Sequence, residues 1–594
     1  MDGKDGAWRI SIQIRKPDLR TLAVDWSAPL LLALLTFLGA LQLFDAFEVV
    51  YYPMIHRAMG IRQFDLGLCL VSPLLFLLLI WSSWIMWKRH FLVLPFPVVA
   101  ITLYSFTNVE AVVSIGSLLA VASSLWVNRK IVRYLACVLA LLGSIEALAL
   151  LHWAVFLPIG LPSQFLWYAN LEMGLFYLLA RLAPFLSIPL MFLWIPKLII
   201  HWRRRRKVKN ASPCWMVDYQ KPSWSKFLLF FSIILSIIAA VYPYLPSVNP
   251  HNRHVGVDFN DYVEQARIVE QDLSQVFKIG GGSRPFIFLF IYGFQTMFGL
   301  DIVSAVKYLP VILNPLLAVS IYFLVRELFL NNWIASWSSF FTVCGIQVAV
   351  GMFALFLTNL MALCIVYFSL GLFIRALRYK CWINLLLAFI IGSLIVFTHP
   401  WTFDQYYLPA VLMGIFVFYN DYKKNNNYIN TKMIIFYLII LGFSELVKMT
   451  FLHGISGLSA TSSLIKRISN IYNFWQDTTF SFRNIYSGLL SNNIIIFFSI
   501  IGSNLLNINV LLELYFIIFF IVSSLLFLIG DAMIKSRLLY NLPFGIFASY
   551  GFIWLKTHLK MNKPKNPVIL LDIFNSFIVL NMVTYLFRSL ANLI

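Results

Sequence analysis

The sequence predicts an all-α fold: a polytopic bundle of transmembrane helices. Roughly 17 or 18 spans follow from the rule of about 20 apolar residues per crossing. Three observations predict it. Of the 594 residues, 60% are hydrophobic and only 12% are charged, whereas soluble domains carry roughly 25% charged residues. The apolar residues fall in runs of span length, and the mean hydropathy is +0.82. No polar stretch is long enough to form a soluble domain of ordinary size.

The cations are placed as a membrane protein places them. The formal net charge is +20, yet Lys and Arg cluster at the ends of apolar runs, which orients spans and contacts anionic headgroups. Nucleic acid is therefore not an expected partner. Cys69, Cys137, Cys214, Cys344, Cys364 and Cys381 form no CxxC and no Cys/His cluster, so no metal site is built on them and no cofactor is expected. The first apolar run follows a segment of mixed charge without a small-residue cleavage site, and reads as a retained span.

In the first third, spans are predicted near 28–44, 66–87, 91–107, 111–127, 131–151 and 172–200. The basic groups between them are Lys88-Arg89, Arg129-Lys130 with Arg133, and His201 to Lys209. Holding basic loops in the cytoplasm puts the N-terminus inside, and 226–245 must then run outward. The loop 246–285 is thus external. From the other end, Arg375 to Lys380, Asp421 to Lys432 and Lys556 to Lys565 read as cytoplasmic. With spans near 381–398, 404–420, 432–450, 490–507, 510–529, 540–556 and 567–588, three polar places also fall outside: His399-Pro400-Trp401, loop 453–485 and Asp531 to Arg537. Between Arg284 and Arg375 there are four apolar stretches, near 286–300, 303–325, 333–349 and 352–374, where the charge rule asks for an odd number of crossings. Either one stretch is re-entrant or interfacial, or Arg375 to Lys380 breaks the rule.

The external loop has its own pattern. Phe259, Tyr262, Ala266, Val269, Leu273 and Val276 recur at spacings of three and four, which predicts an amphipathic helix of about five turns suited to a membrane surface. Asp258 and Asp261 project from neighbouring positions at its start. Gly280-Gly281-Gly282 then leads to Arg284-Pro285, where the proline opens the next apolar segment.

The external polar set is Asp258, Asp261, Arg284, His399 and Arg537, with Lys466, Arg467 and Asp477 in the later loop. Transfer of a group from a lipid phosphate needs a carboxylate to take a proton, cations to hold the departing phosphate, and an interfacial location. Arginine's planar donors suit a phosphate. The same residues have plainer readings. Asp258 and Asp261 suit a helix start, Arg284 and Arg537 suit headgroup anchoring, and His399 suits a satisfied span end.

The run Gly256-Val257-Asp258-Phe259-Asn260-Asp261-Tyr262, then Ser283-Arg284-Pro285 with Phe298-Gly299-Leu300 and Val325-Arg326-Glu327-Leu328, resembles the GT-C class of integral membrane glycosyltransferases. Thr398-His399-Pro400-Trp401-Thr402 and Ser536-Arg537-Leu538-Leu539-Tyr540-Asn541-Leu542-Pro543 are similar to motifs of prokaryotic members with many spans. The resemblance covers about 226–590. It implies transfer of a sugar from a polyprenyl-phosphate-linked donor to a lipid, glycan or protein acceptor at the external face of the cell membrane. It also implies that Asp258 or Asp261 is the base and that Arg284, His399 and Arg537 bind substrate. The chain lacks the Trp-Trp-Asp-Tyr-Gly signature of oligosaccharyltransferases and the adjacent Asp-Glu pair of protein O-mannosyltransferases, which counts against a protein acceptor. Residues 1–210 form an unmatched six-span module and 211–594 the GT-C-like part. A transporter or lipid flippase is the rival, because Glu146, Glu172, Arg181, Glu445 and Glu513 lie in or near spans, and such residues mark conduction paths. Asp45 and Glu48 mark a lesser second site in the N-terminal module.

Overall fold

The computed structural model describes most of residues 222–561, without 247, 283, 425–428, 452–473, 482–484, 487–492 and 507–510, together with scattered positions on either side. The N-terminal six-span module, the division near residue 210, and Asp45, Glu48, Glu146, Glu172, Arg181, Lys466 and Arg467 lie outside the described residues, as does the side chain of Glu513. Among the described residues every regular element is helical and none is a strand.

Helix α1, Pro222–Val241, runs into a 3₁₀ turn at Tyr242–Tyr244. After the polar segment come α2, Phe259–Gln271, α3, Pro285–Phe298, α4, Ile302–Tyr308, and α5, Pro310–Phe329. Next are α6, Asn332–Val343, α7, Ile346–Ala354, α8, Leu357–Tyr379, α9, Trp382–Thr398, α10, Pro400–Lys424, and α11, Ile429–Phe451. The last are α12, Phe474–Ser481, α13, Asn493–Leu505, α14, Leu511–Ile529, α15, Ala532–Tyr540, and α16, Phe544–Met561. Among the described residues four stretches are long and apolar enough to cross a membrane: Trp224–Tyr244, Ile302–Phe329, Asn332–Ala354 and Leu357–Tyr379. The chain is an all-α, membrane-embedded bundle.

The α6–α7 stretch sits at its centre, with 94% of its apolar window buried. A helix enclosed on all sides is apolar all round, and its few hydroxyls must find partners inside. Ser336 donates to Ser225 O at 2.7 Å, and Ser339 to Ala318 O at 2.9 Å. Aromatic rings fill the space between α6, α13 and α16. Trp337 and Phe552 lie 4.5 Å apart, and Phe498 meets Phe552 edge-on at 5.5 Å. Between α13 and α16, Gly502 faces the Phe547 carbonyl and Gly551 faces that of Phe498, so closely that a Cβ at either place would strike backbone. Small residues are how membrane helices bring backbones together.

Of the four apolar stretches between Arg284 and Arg375, three are long and apolar enough to cross a membrane and α3 is not. It has 14 residues, about 21 Å at 1.5 Å per residue, against a hydrocarbon core of about 30 Å. Both of its ends also tie to the same polar segment. Arg284 at its start acts electrostatically on Asp258, and Gln295 near its end donates to Glu270 of α2 at 2.5 Å. Beyond it, Lys307 donates to Asn252 at 3.0 Å. Three such stretches make the odd number that the charge rule asks for.

The polar segment differs from its predicted form. Helix α2 stops at Gln271, because Asp272 turns its carboxylate onto the Ser274 N–H at 3.0 Å and opens a 3₁₀ turn, Leu273–Phe277. The glycines form a second such turn, Ile279–Gly282. The stripe Phe259, Tyr262, Ala266, Val269 and Val276 is buried, while Leu273 is 47% exposed. Helix α2 packs on α3 and α4, so its apolar face is covered by the protein and not by lipid.

At the opposite end, Arg378 pairs with Glu327 at 3.6 Å, and Lys556 lies 5.3 Å from the ring centre of Trp333. In a cysteine-free background, single cysteines at Asn260 and at the half-exposed Met533 should be labelled by an impermeant thiol reagent from one side of the membrane. A cysteine at Tyr379 should be labelled from the other. Labelling of 260 and 533 from opposite sides would break this arrangement.

Candidate active site

Asp258 is set by its backbone before its side chain. Gly256 has φ +115°, and a Cβ there would lie 2.6 Å from the Leu355 Cβ. Only glycine holds that conformation at so close an approach. The main-chain N–H groups of Val257 and Asp258 then donate to Phe353 O at 2.9 Å and Ala354 O at 3.3 Å. Tyr262 Oη lies 3.1 Å from Thr358 Oγ1 and accepts from the Thr358 N–H at 3.3 Å. The start of α2 is thereby fastened to the α7–α8 junction, where Leu355 itself adopts a left-handed φ of 52°.

Asp258 stands at the N-cap of α2 yet makes no side-chain capping hydrogen bond. The other aspartates at helix starts behave differently: Asp272, Asp301 and Asp531 accept from the N–H groups of Ser274, Ser304 and Ile534 at 3.0, 3.3 and 2.9 Å. Those hydrogen bonds hold the carboxyls of Asp272 and Asp301 below the ordinary range. The Asp258 carboxyl is pushed above its ordinary range by burial, a shift opposed by the charges of Arg537 and Arg284 and reinforced by that of Asp261. Asp261 is exposed, in the first turn of α2.

Two groups from distant parts of the chain act on Asp258, and a third shares their field. Arg284 occupies the N-cap of α3, with Pro285 behind it at the first helical position. Arg537 rides on α15, its guanidinium carbon 5.4 Å from the Phe356 ring centre and its Nε without a hydrogen-bond partner. His399 links α9 to α10; it is fully buried, and its Nε2 has no partner among the described residues. Burial, and then the charges of Arg284, Arg537 and Lys448, keep the imidazole from taking a second proton. Asp258, Arg284, His399 and Arg537 are therefore one electrostatic cluster, with Asp261 at its solvent edge. Asp477 lies on α12, which packs against α15, and acts on Lys535 rather than on Asp258.

Behind this cluster is a polar network for which the pattern of charges gave no signal. His399 Nδ1 caps α10, accepting from the Thr402 N–H at 3.2 Å. Asn541 donates to Thr402 Oγ1 and to Gln405 Oε1, each at 3.0 Å. Gln347 donates to Leu542 O at 2.6 Å and accepts at its own carbonyl from Tyr540 Oη at 2.7 Å. Tyr406 donates to Asn541 O at 2.7 Å. Pro400 at the first position of α10 marks a helix start, and that start is the signal by which Thr402 was findable. A second group, Asp404 on α10 with Glu445 and Lys448 on α11, reaches His399 through the charge of Lys448. Lys448 donates to Val396 O. Among the described residues no three His, Cys, Asp or Glu side chains gather as metal ligands.

The fold and site define a membrane-embedded helical protein with one carboxylate and two guanidinium groups gathered at one end. No protein-family model and no curated protein sequence matches the chain.

Because burial raises the folded-state pKa of Asp258, its ionised form works against folding above that pKa, and the penalty vanishes as pH falls through it. Asp258→Asn should therefore unfold at an equal or higher temperature than wild type at pH 7.5, with the difference closing towards pH 4. A variant markedly less stable at pH 7.5 would show the carboxylate to be a structural anchor.

Proposed function

We propose that the protein is a GT-C-like membrane glycosyltransferase that moves a sugar from a polyprenyl-phosphate-linked donor to a hydroxyl of a lipid or glycan acceptor. The observation that carries this reading is a carboxylate with no capping duty beside two arginines, with buried donors on Arg537 and His399 that have no partner among the described residues. Asp258 takes the proton of the acceptor hydroxyl, whose oxygen bonds the anomeric carbon. The bond from that carbon to the phosphate oxygen breaks, and its electron pair leaves on the lipid phosphate. Arg284 and Arg537 stabilise the charge that develops there. Asp261, exposed and one turn away, tunes Asp258 through its charge and is not the base.

The basic far end supports a cytoplasmic assignment for that end by the positive-inside rule, which leaves the site on the external face of the cell membrane and the N-terminus inside. The raised carboxyl of Asp258 suits a base, since basicity rises with pKa.

The test is transfer in proteoliposomes across a panel of polyprenyl-phosphate sugars. Asp258→Asn should lower kcat by about 10²–10⁴-fold, the usual worth of a general base, while Asp261→Asn stays within about tenfold. Arg537→Lys, which keeps the charge but loses the planar donor pair, should raise KM for the donor. Full turnover by Asp258→Asn would remove the base.

The rival reading, a transporter, draws on the buried Glu445 and Lys448 with the part-buried Asp404. It requires substrate flux without chemical change, abolished by Glu445→Gln and indifferent to Asp258→Asn.

A further inference from the structure

The hydrogen bonds around His399 fix where its proton sits. A main-chain N–H can only donate, and that of Thr402 points at His399 Nδ1 from 3.2 Å. Nδ1 therefore carries a lone pair, and the proton of the neutral ring is on Nε2. The Thr402 hydroxyl, 2.9 Å from Nδ1, repeats the instruction. Asn541 Nδ2 donates to that hydroxyl oxygen at 3.0 Å, which leaves the hydroxyl hydrogen to point at the ring.

The Asn541 amide is oriented in turn. Its second N–H goes to Gln405 Oε1 at 3.0 Å, and its oxygen accepts from Asn359 Nδ2 at 3.3 Å. Gln405 is oriented by donating to Ser523 Oγ at 3.0 Å and Leu538 O at 3.1 Å. The directed chain thus begins on α14 and α15 and ends on the imidazole. What it presents is the far ring nitrogen, fully buried and without a partner among the described residues. The charged groups acting on the ring are Arg284, Arg537 and Lys448, all cations. A neutral N–H donor among cations is complementary to an oxyanion.

We infer that Thr402 and Asn541 are positioning residues that hold His399 as the Nε2–H form, and that this N–H is a hydrogen-bond donor to a phosphate oxyanion alongside Arg284 and Arg537. His399 then neither gives nor takes a proton during transfer. The lipid-linked origin of the phosphate rests on the proposed function; the tautomer and the oxyanion site do not.

Two measurements on the full chain test this. In the first, nitrogen NMR is recorded on protein labelled with [15N]histidine in lipid nanodiscs, the His399 signal being found by its loss in His399→Gln. The expected signal at neutral pH is the Nε2–H tautomer, and Thr402→Val should admit the other tautomer or exchange broadening. An Nδ1–H or doubly protonated ring in the wild type overturns the inference without reference to any activity.

The second is binding of a short-chain polyprenyl phosphate and, separately, of inorganic phosphate. Glutamine carries an amide N–H near the Nε2 position, so His399→Gln should bind within about threefold of wild type. His399→Leu should lose about tenfold or more, the usual worth of a hydrogen bond to a charged group. Equal binding by His399→Leu and wild type overturns the inference. If both phosphates bind with this pattern but no sugar is transferred, the oxyanion site stands and the glycosyltransferase reading falls. If only inorganic phosphate binds so, the site stands for a free phosphate, and the lipid-linked donor falls.

Discussion

Everything at the polar end depends on two main-chain hydrogen bonds, those from Val257 and Asp258 to the carbonyls of Phe353 and Ala354. They join a loop just outside the bundle to the last turn of its most deeply enclosed helix. The left-handed Leu355 ends that helix, and Gly256 permits the approach. Without this clasp, Asp258 would be one more surface acid at a helix start. With it, the carboxyl is carried inward toward Arg284 and Arg537, where burial and two cations act on it in opposite senses. The same clasp puts Phe356 under the Arg537 guanidinium and Thr358 against Tyr262.

The surrounding structure keeps a polar cluster among apolar helices by pairing most of its supports with one another. Asn541, Gln405, Thr402 and Tyr406 each satisfy another member of the set, with Ser523 and the carbonyl of Leu538 as terminal acceptors. A network of this kind is worth having only when it is nearly complete, since a half-paired amide in a low dielectric costs more than an apolar side chain would. Among the described residues the atoms of this set left unpaired are His399 Nε2, Arg537 Nε, Gln347 Oε1 and Asn359 Oδ1, and the first two belong to side chains that share the field of Arg284.

Much of this was legible in the residue order, for identifiable reasons. Basic loops alternate with polar ones, and that alternation alone gathered Asp258, Arg284, His399 and Arg537 on one side. Arg284 before Pro285 foretold a helix start, and the spacing of apolar residues after Phe259 foretold α2. The neutral network was not legible, because Asn, Gln and Thr in apolar runs look alike whether they pair across helices or bond their own backbone. Hydropathy marks an apolar run without saying whether it crosses, so α3 stood as one of four candidates. The α7–α8 boundary was misplaced because the chain turns at Leu355 with neither glycine nor proline to announce it. Helix α2 was drawn too long because periodicity carries on through Asp272, whose carboxylate competes for the backbone.

The glycine seam between α13 and α16 has a mechanical consequence. With Gly502 and Gly551 letting two backbones touch, α16 has no room to slide or roll, and its first turn is moored as firmly as its middle. That turn begins at Phe544, three residues after Asn541. A methyl group added at the seam must wedge the helices apart. The displacement would reach the amide that orients Thr402, so a lesion far from any charged side chain would be felt as a loosened imidazole.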